Sequence, residues 1–132
     1  MRQDKFEFIR LIGNERRTGA RLADVSRHWQ GSKENFLIIS PHDDDAALGA
    51  GLLIQLAKRE NVPVQILIVT DGSMGYCRKK EQDSITEIRK AEALECYQAL
   101  GVAKKNIHWA GFADCQLNNY LFSAIGLPGR RS

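Results

Sequence analysis

One histidine and three aspartates stand in a row soon after a short apolar run. This cluster, His42–Asp45, follows the run Phe36–Ile39 after only two intervening residues. Burying ionised carboxylates without a partner costs several kcal/mol, so acids at the end of a buried strand need an opposite charge. A divalent cation is the usual solution. The cluster therefore predicts a metal site that also carries acid–base chemistry.

The spacing within the cluster suggests a division of roles. A hydrolytic metal site needs two or three protein ligands, an open position for water and a base close to that water. His42 and Asp45 are three residues apart at the turn into a helix, so both can reach one crevice. Asp44 can then act as the general base. The alternative is a group of acids at a helix N-terminus, which explains one or two acids but not a histidine with three.

The segments after residue 35 alternate between strand type and helix type. Apolar runs predict two strands that are buried on both faces, as in parallel sheets, and a third short strand follows them. Helical periodicity predicts helices over about 45–60 and 85–100, with Ser84-x-x-Glu87 as a capping box for the second. Gly49 and Gly51 predict a close approach of the first helix to the sheet or to a ligand. The predicted strands are Phe36–Ser40, Val64–Val69 and Ile107–Ala110.

This β-α-β-α-β order predicts an α/β fold with a mostly parallel sheet and helices on its faces. Ligands of such sheets bind at the carboxyl ends of the strands. Three polar clusters come directly after strands, so we expect them to face one crevice: His42–Asp45, Thr70–Gly75 and Asp114. The first strand lacks a glycine-rich turn after it, which disfavours a nucleotide-binding Rossmann domain.

Two further residues are candidates for contact with a ligand in this crevice. Arg89, early in the second helix, can bind an anionic or hydroxylated group. The competing interpretation is a surface arginine paired with Glu92 or Glu87. Asp114 can orient a ligand hydroxyl, or it can be an ordinary turn residue. The residue types leave both alternatives open.

The composition of the chain narrows its function class. Its 132 residues suit one domain, and 43% hydrophobic with 27% charged residues is ordinary for a soluble globular protein. The net charge of +3 is small and the basic residues are scattered, which argues against a nucleic-acid partner. No apolar run approaches the roughly 20 residues of a transmembrane helix, and the N-terminus has no signal-peptide core.

The cysteines and the first 34 residues add two expectations. The chain has three cysteines, an odd number, and no C-x-x-C pattern: Cys77, Cys96 and Cys115. This fits a protein of the reducing cytoplasm better than one held by disulfides, and it disfavours a metal site of three thiolates. Residues 1–34 are predicted to form a helical extension, with one short helix ending at Gly13 and a second over Ala20–Trp29. The α/β domain is then expected over residues 35–132.

Three sequence blocks between about residues 36 and 117 together resemble the LmbE/PIG-L family of zinc-dependent N-deacetylases. The first is SPHDDDAALG (residues 40–49), similar to the family's P-H-P-D-D-E-x-x-x-G. The second combines TDG (70–72) and Gly75 with Arg89-x-x-Glu92 and LGV (100–102). The third is GFADCQL (111–117), similar to G-x-P-D-G-x-L. The blocks occur in the family's order and spacing.

The resemblance implies a Rossmann-like three-layer sandwich and an enzyme that hydrolyses an N-acetyl group from an N-acetylglucosamine-type amino sugar or its conjugate. It implies that His42 and Asp45 bind Zn²⁺ and that Asp44 is the general base. It further implies that Arg89 and Asp114 contact the substrate.

The chain departs from the family pattern in ways that matter for the metal. Asp43 and Ala46 stand where the family has Pro and Glu, and the loss of that Glu weakens the support of the metal ligands. The family's third zinc ligand comes from a later H-x-x-H segment, which this sequence lacks. Neither His28 nor His108 matches it.

The chain therefore resembles the N-terminal portion of such an enzyme, apparently truncated at its C-terminus. We expect it to bind zinc weakly and to turn over little substrate. We also expect an exposed sheet edge and apolar patch, and hence self-association into a possible homo-oligomer. The alternative function is a non-catalytic binding or interaction domain with a degenerate metal site on the same fold.

Overall fold

The computed structural model describes residues 7–76 and 78–119. Within them, a two-stranded antiparallel sheet precedes a three-stranded parallel sheet, and two long helices connect the parallel strands. The elements in chain order are β1 (Phe8–Ile12), β2 (Glu15–Gly19), α1 (Leu22–Val25), β3 (Phe36–Ser40), α2 (Asp45–Arg59), β4 (Val64–Thr70), α3 (Ile85–Ala99) and β5 (Ile107–Phe112).

The three parallel strands lie in the order β3-β4-β5. Ile38 pairs with Ile66, and Ile66 pairs in turn with Ile107, so the carboxyl ends of the strands share one edge. The predicted α/β class and the parallel arrangement are confirmed. The strands carry the predicted sequences, with β4 one residue longer and β5 two residues longer than expected.

One face of this sheet carries the core. Ile66 and Ile68 of β4 are fully buried, and they cluster with residues of both α2 and α3. Both helices lie on the same face because the chain advances in one direction across the sheet with crossovers of one hand. The described residues thus form two layers, and the third layer of the predicted sandwich stays a prediction. The helical members of the cluster include Ile54, Ala57, Ala93 and Tyr97.

The opposite face of β3 corrects one expectation. Leu37 and Ile39 are each 61% exposed, so the prediction that this strand is buried on both faces is wrong within the described residues. The reason lies in the topology. Among those residues β3 pairs only with β4, so it forms an edge of the sheet, whereas β4 has a neighbour on each side. The predicted exposed edge and apolar surface are confirmed.

The long helices begin and end within one residue of their predicted bounds, but their caps differ. Ser84 occupies the N-cap of α3 without a side-chain cap, because its hydroxyl donates instead to the Glu81 carbonyl at 3.3 Å. The predicted capping box is therefore wrong. Gly101, at φ +91°, directly follows the C-cap residue Leu100 and ends α3, since glycine adopts this backbone conformation without strain.

The expectation that Gly49 and Gly51 bring α2 close to the sheet is also wrong, whereas their approach to a ligand stays a prediction. A Cβ atom added at Gly49 or at Gly51 meets no atom within 4 Å, so neither residue lies close to the sheet. Gly72 provides the contrast. Its φ is +71°, and a Cβ there lies 3.3 Å from Cβ of Arg89. The close approach that glycine permits is therefore found in the loop after β4.

The predicted helical extension over residues 1–34 is largely wrong. β1 and β2 pair as an antiparallel hairpin, in which Ile12 opposes Glu15 across the two-residue loop Gly13-Asn14. Such a loop between β-forming residues favours a hairpin, and Gly13 has the positive φ that this turn requires. The second expected helix is reduced to the single turn α1, which ends where Ser26 adopts extended backbone.

No helix in the described ranges is long and apolar enough to cross a membrane. The sequence from Leu117 to Ile125 also suggests a helix, but this segment lies mostly outside the described residues, which end at Asn119.

Candidate metal and catalytic site

His42 and Asp45 contact each other at the start of α2. Asp45 is the first residue of that helix, and its Oδ2 lies 3.0 Å from both the main-chain amide and Nδ1 of His42. These hydrogen bonds, first from the amide and then from the ring, hold the pKa of Asp45 below its ordinary value. The two side chains are 54% and 45% exposed, so a ligand can reach them.

The separation of these two donors fits a shared metal ion. Two ligand atoms about 2.0–2.1 Å from tetrahedral zinc lie about 3.3 Å from each other. The ring nitrogen of His42 and Oδ2 of Asp45 are 3.0 Å apart, so a small opening of the pair provides two corners of a tetrahedron. Within residues 7–76 and 78–119, however, no group of three or more His, Cys, Asp or Glu residues can hold a metal.

Asp44 lies between these two residues in sequence, and its side chain does not cap the helix. It occupies the N-cap position of α2, where its main-chain carbonyl accepts hydrogen bonds from Ala47 and Leu48, both at 3.0 Å. Its side chain makes no capping hydrogen bond. The interpretation of the acids as a helix-capping cluster therefore lacks the bond that it requires, and the exposed carboxylate of Asp44 stays available for acid–base chemistry.

Asp43 points to a different environment from that of its neighbours. Burial raises the pKa of this carboxyl, with a further contribution from Asp44, and Arg89 opposes the increase. Oδ1 of Asp43 lies 3.6 Å from the position of a Cβ at Gly72. Asp43 thus connects the loop after β3 with the loop after β4.

The loops after β4 and β5 are joined through two aspartates. Oδ1 of Asp71 accepts hydrogen bonds from the amides of Ser73 at 3.0 Å and Asp114 at 3.2 Å. Oδ2 of Asp114 in turn accepts from the amide of Met74 at 3.1 Å. The predicted convergence of the three strand-end clusters is confirmed by these contacts and by the position of Asp43.

The other carboxylate oxygen of Asp114 is unusual. The residue is only 7% exposed, and among the described residues Oδ1 has no hydrogen-bond partner. A buried acceptor without a partner is rare in native proteins and is commonly completed by water or a ligand. The expectation that Asp114 orients a ligand hydroxyl is compatible with this arrangement.

The guanidinium group of Arg89 has two hydrogen-bond partners within the protein. Its Nη1 donates to Glu92 at 2.8 Å, and its Nη2 donates to the carbonyl of Gly75 at 3.0 Å. The pairing with Glu92 is the competing interpretation from the sequence. The arginine side chain also packs on Gly72 and so supports the turn from Gly72 to Gly75.

Two small cavities flank the loop after β3, and Thr70 lines both. The cavity beside His42 has a volume of about 230 Å³ and is also lined by Cys115, Leu117 and Asn118. The cavity beside Asp43 has a volume of about 150 Å³ and is mainly apolar, with Trp109 and Arg89 among its lining residues. A small acyl or sugar group therefore has space next to the candidate donors.

Comparison with known proteins decides the family. The sequence pattern of the family described as GlcNAc-PI de-N-acetylase (PIG-L) matches residues 37–126. The chain belongs to the PIG-L family. The resemblance identified from the motifs is thereby confirmed.

Two relatives of this PIG-L family chain are named as deacetylases. A probable N-acetyl-alpha-D-glucosaminyl L-malate deacetylase 2 of Bacillus cereus is 34% identical over 86 residues, which are 62% of this chain and 38% of that protein. A diacetylchitobiose deacetylase of Thermococcus kodakarensis is 35% identical over 82 residues, 61% of this chain and 30% of that protein. The chain spans about a third of the length of these relatives.

Solved structures agree with the family assignment. The N,N'-diacetylchitobiose deacetylase of Pyrococcus horikoshii superposes with a TM-score of 0.58 at 28% identity, covering 69% of this chain and 36% of that one. A 4-carboxy-2-hydroxymuconate hydratase of Pseudomonas putida superposes with a TM-score of 0.55 at 20% identity, covering 75% and 38%. The second likeness concerns the fold alone.

The other two histidines of this PIG-L family chain, His28 and His108, have different surroundings from the His42–Asp45 pair. His108 is on β5, where its Nε2 lies 2.8 Å from Oε1 of Gln65 on β4. His28 is exposed in the segment between α1 and β3. Neither contributes to a group of three donors in the described part of the chain.

Several residues at this site were not identified from the sequence. The sequence places Thr70 and Asp71 only in a polar cluster after β4, whereas in the structure Thr70 lines both cavities and Asp71 joins two loops. Cys115 was considered only for its redox state, and it lines the cavity beside His42. Such contacts depend on tertiary structure, which residue spacing does not encode.

Proposed function

We propose that this chain carries the metal and base residues of a zinc-dependent deacetylase that acts on an N-acetylglucosamine-type amino sugar or its conjugate. The family match and the names of two relatives support the reaction class. The observation that carries the proposal is the contact between His42 and Asp45. Next to Asp45 in sequence, the carboxylate of Asp44 makes no capping hydrogen bond. Cytoplasmic location is proposed with it, because Cys96 and Cys115 are free thiols.

In this proposal His42 and Asp45 hold the zinc ion. When bound, zinc supplies Lewis acidity, which polarises the acyl carbonyl and makes water a stronger acid. Asp44 takes one proton from the attacking water while the oxygen of that water forms a bond to the acyl carbon. The carbon–nitrogen bond then breaks, and Asp44 returns the proton to the leaving amine. The products are acetate and the free amino sugar.

Asp114 and Arg89 are proposed to serve the substrate in different ways. The unpartnered Oδ1 of Asp114 supports a hydrogen bond from a sugar hydroxyl. Both terminal nitrogens of the Arg89 guanidinium already have protein partners. The main role of this side chain is therefore to support the turn Gly72–Gly75, and contact with the sugar is a secondary role.

The proposal is tested by measuring zinc stoichiometry and acetate release on this chain. With two donors in the described residues, we expect weak zinc binding that His42→Ala or Asp45→Ala abolishes, and slow release of acetate from N-acetylglucosamine conjugates. Acetate release that persists after zinc is removed with a chelator would contradict the zinc proposal. A tight 1:1 site with normal turnover would contradict the expectation of an incomplete donor set.

The second candidate is a non-catalytic binding domain for an amino sugar. It is favoured by one observation, the lack of a three-donor group within the described residues. Under this alternative Asp44→Asn changes neither sugar binding nor any other function, and zinc has no effect. Isothermal titration with N-acetylglucosamine and with glucosamine, with and without zinc, separates the two candidates.

A further inference from the structure

Three successive carbonyl groups of the loop after β3 each accept a hydrogen bond from a side-chain hydroxyl. The first is the carbonyl of Pro41, to which the hydroxyl and the amide of Thr70 both donate at 3.0 Å. Thr70 is the last residue of β4 and is 3% exposed. The start of the loop is therefore fixed to the neighbouring strand.

The second carbonyl belongs to His42. The hydroxyl of Ser40 donates to it at 2.6 Å and accepts from the amide of Ala46 at 2.8 Å. Ser40 is 1% exposed. One buried hydroxyl thus connects the loop with the first turn of α2, across the two residues proposed to hold zinc.

The third carbonyl belongs to Asp43. Tyr97, in the last turn of α3 and fully buried, donates its hydroxyl to this carbonyl at 2.7 Å. Burial raises the pKa of Tyr97, so the phenol stays protonated and able to donate. The contact joins residues 54 positions apart in the sequence, and it packs α3 against the loop after β3.

These contacts determine which side of the loop faces outward. An unpaired buried carbonyl is costly, so three bound carbonyls hold the peptide units from 41 to 43 in one orientation. The side chains of His42 and Asp45 stay about half exposed above them. Metal ligands commonly depend on such supporting hydrogen bonds, whose loss costs about 10- to 100-fold in metal affinity.

We propose that Ser40, Thr70 and Tyr97 form a hydroxyl frame that positions His42, Asp44 and Asp45 for metal binding and proton transfer. They are positioning residues and do not contact the substrate through this role. The proposal rests on the proposed function for its consequence, but the frame itself is independent of any bound metal. From the sequence alone, Ser40 and Thr70 are only residues at strand ends, and Tyr97 is only a buried helix residue.

Tyr97→Phe tests the frame, because it removes one hydroxyl and keeps the ring in the core. We expect amide hydrogen exchange at Ala46–Leu48 to accelerate about tenfold or more, as for the loss of one buried hydrogen bond. We also expect the dissociation constant for zinc, measured by competition with a chromogenic chelator, to rise about 10-fold or more. Ile107→Val, which trims the core on β5, is the control with a comparable loss of melting temperature.

The comparison with this control separates positioning from general destabilisation. If Tyr97→Phe and Ile107→Val have equal exchange rates at Ala46–Leu48 and equal zinc affinities, the frame is refuted. Ser40→Ala provides a second test at the same amides should Tyr97→Phe fail to fold. If the unmodified chain binds no zinc, the proposed function is contradicted, whereas the exchange comparison still decides whether the frame holds the loop.

Discussion

Asp44 is the residue on which the catalytic proposal depends most directly. Asp44→Asn keeps the size and the N-cap position of the side chain but removes its basicity. Since general-base catalysis contributes about 10²–10⁴-fold, we expect acetate release to fall by that factor while zinc binding is retained. Steady-state kinetics and zinc titration of the variant measure the two effects. Asp83→Asn, in the exposed segment before α3, is the matched control for the loss of one carboxylate.

The contact between His42 and Asp45, the proposed metal pair, was predictable from the sequence because the two residues are close together in it. His42 and Asp45 are three residues apart, and their 3.0 Å contact follows from the local turn into α2. Arg89 and Asp114 were also identified, but their contacts with Gly75 and Met74 were not. Those contacts join loops that follow different strands, so they depend on the register of the sheet.

Two glycines in different elements have opposite expected effects. Gly49 lies inside α2 with open space around its Cβ position, so Gly49→Ala is expected to stabilise the fold by about 0.5–1 kcal/mol. Gly72 has φ +71° and lies against Arg89, so Gly72→Ala is expected to destabilise it by about 1–2 kcal/mol. Chemical denaturation of both variants measures the difference. Equal effects would contradict the described turn after β4.

The link between the loops after β4 and β5 has an expected pH dependence. Burial raises the pKa of Asp71, but hydrogen bonds from Ser73 and from the amide of Asp114 outweigh it, so the pKa is lowered. A carboxyl with a lowered folded-state pKa stabilises the fold above its unfolded value of about 3.9, and this stabilisation is lost as the pH falls through the folded value. Asp71→Asn should therefore cost about 1 kcal/mol at pH 7 and progressively less below about pH 4.

Denaturation curves of the unmodified chain and of Asp71→Asn between pH 7 and pH 2 measure this dependence. The difference in the free energy of unfolding should be constant near neutrality and shrink in acid. Asp83→Asn again controls for the removal of one negative charge. A difference that grows as the pH falls would contradict the assignment of Asp71 as the ionised acceptor.

The predictability of the elements follows from how local their signals are. α2 and α3 have sustained helical periodicity, and β3, β4 and β5 are short and mainly apolar, so all five were placed nearly correctly. The N-terminal hairpin was missed because Phe8–Ile12 is too short to separate a strand from a helix by its apolar positions. The exposure of β3 was missed because an apolar run gives no information on how many neighbours a strand has.

At the scale of the whole molecule, exposed leucine and isoleucine side chains predict self-association. Leu37 and Ile39 on β3 are each 61% exposed, and Leu48 and Leu52 on α2 are 81% and 70% exposed. Leu48 and Leu52 are four residues apart and so share one face of the helix. Fully burying such a side chain contributes about 1.5–3 kcal/mol, which makes these surfaces favourable for contact between copies.

We therefore expect the sedimentation coefficient to increase with protein concentration. Leu48→Lys combined with Leu52→Lys should raise the dissociation constant of self-association by about 10-fold or more, since each 1.4 kcal/mol changes it tenfold. Both positions are exposed, so the free energy of unfolding of the monomer should change little. Gln55→Lys combined with Gln98→Lys, at exposed helix positions that are already polar, controls for the two added positive charges. A monomer at all concentrations, in the unmodified chain, would show that these apolar surfaces do not drive association.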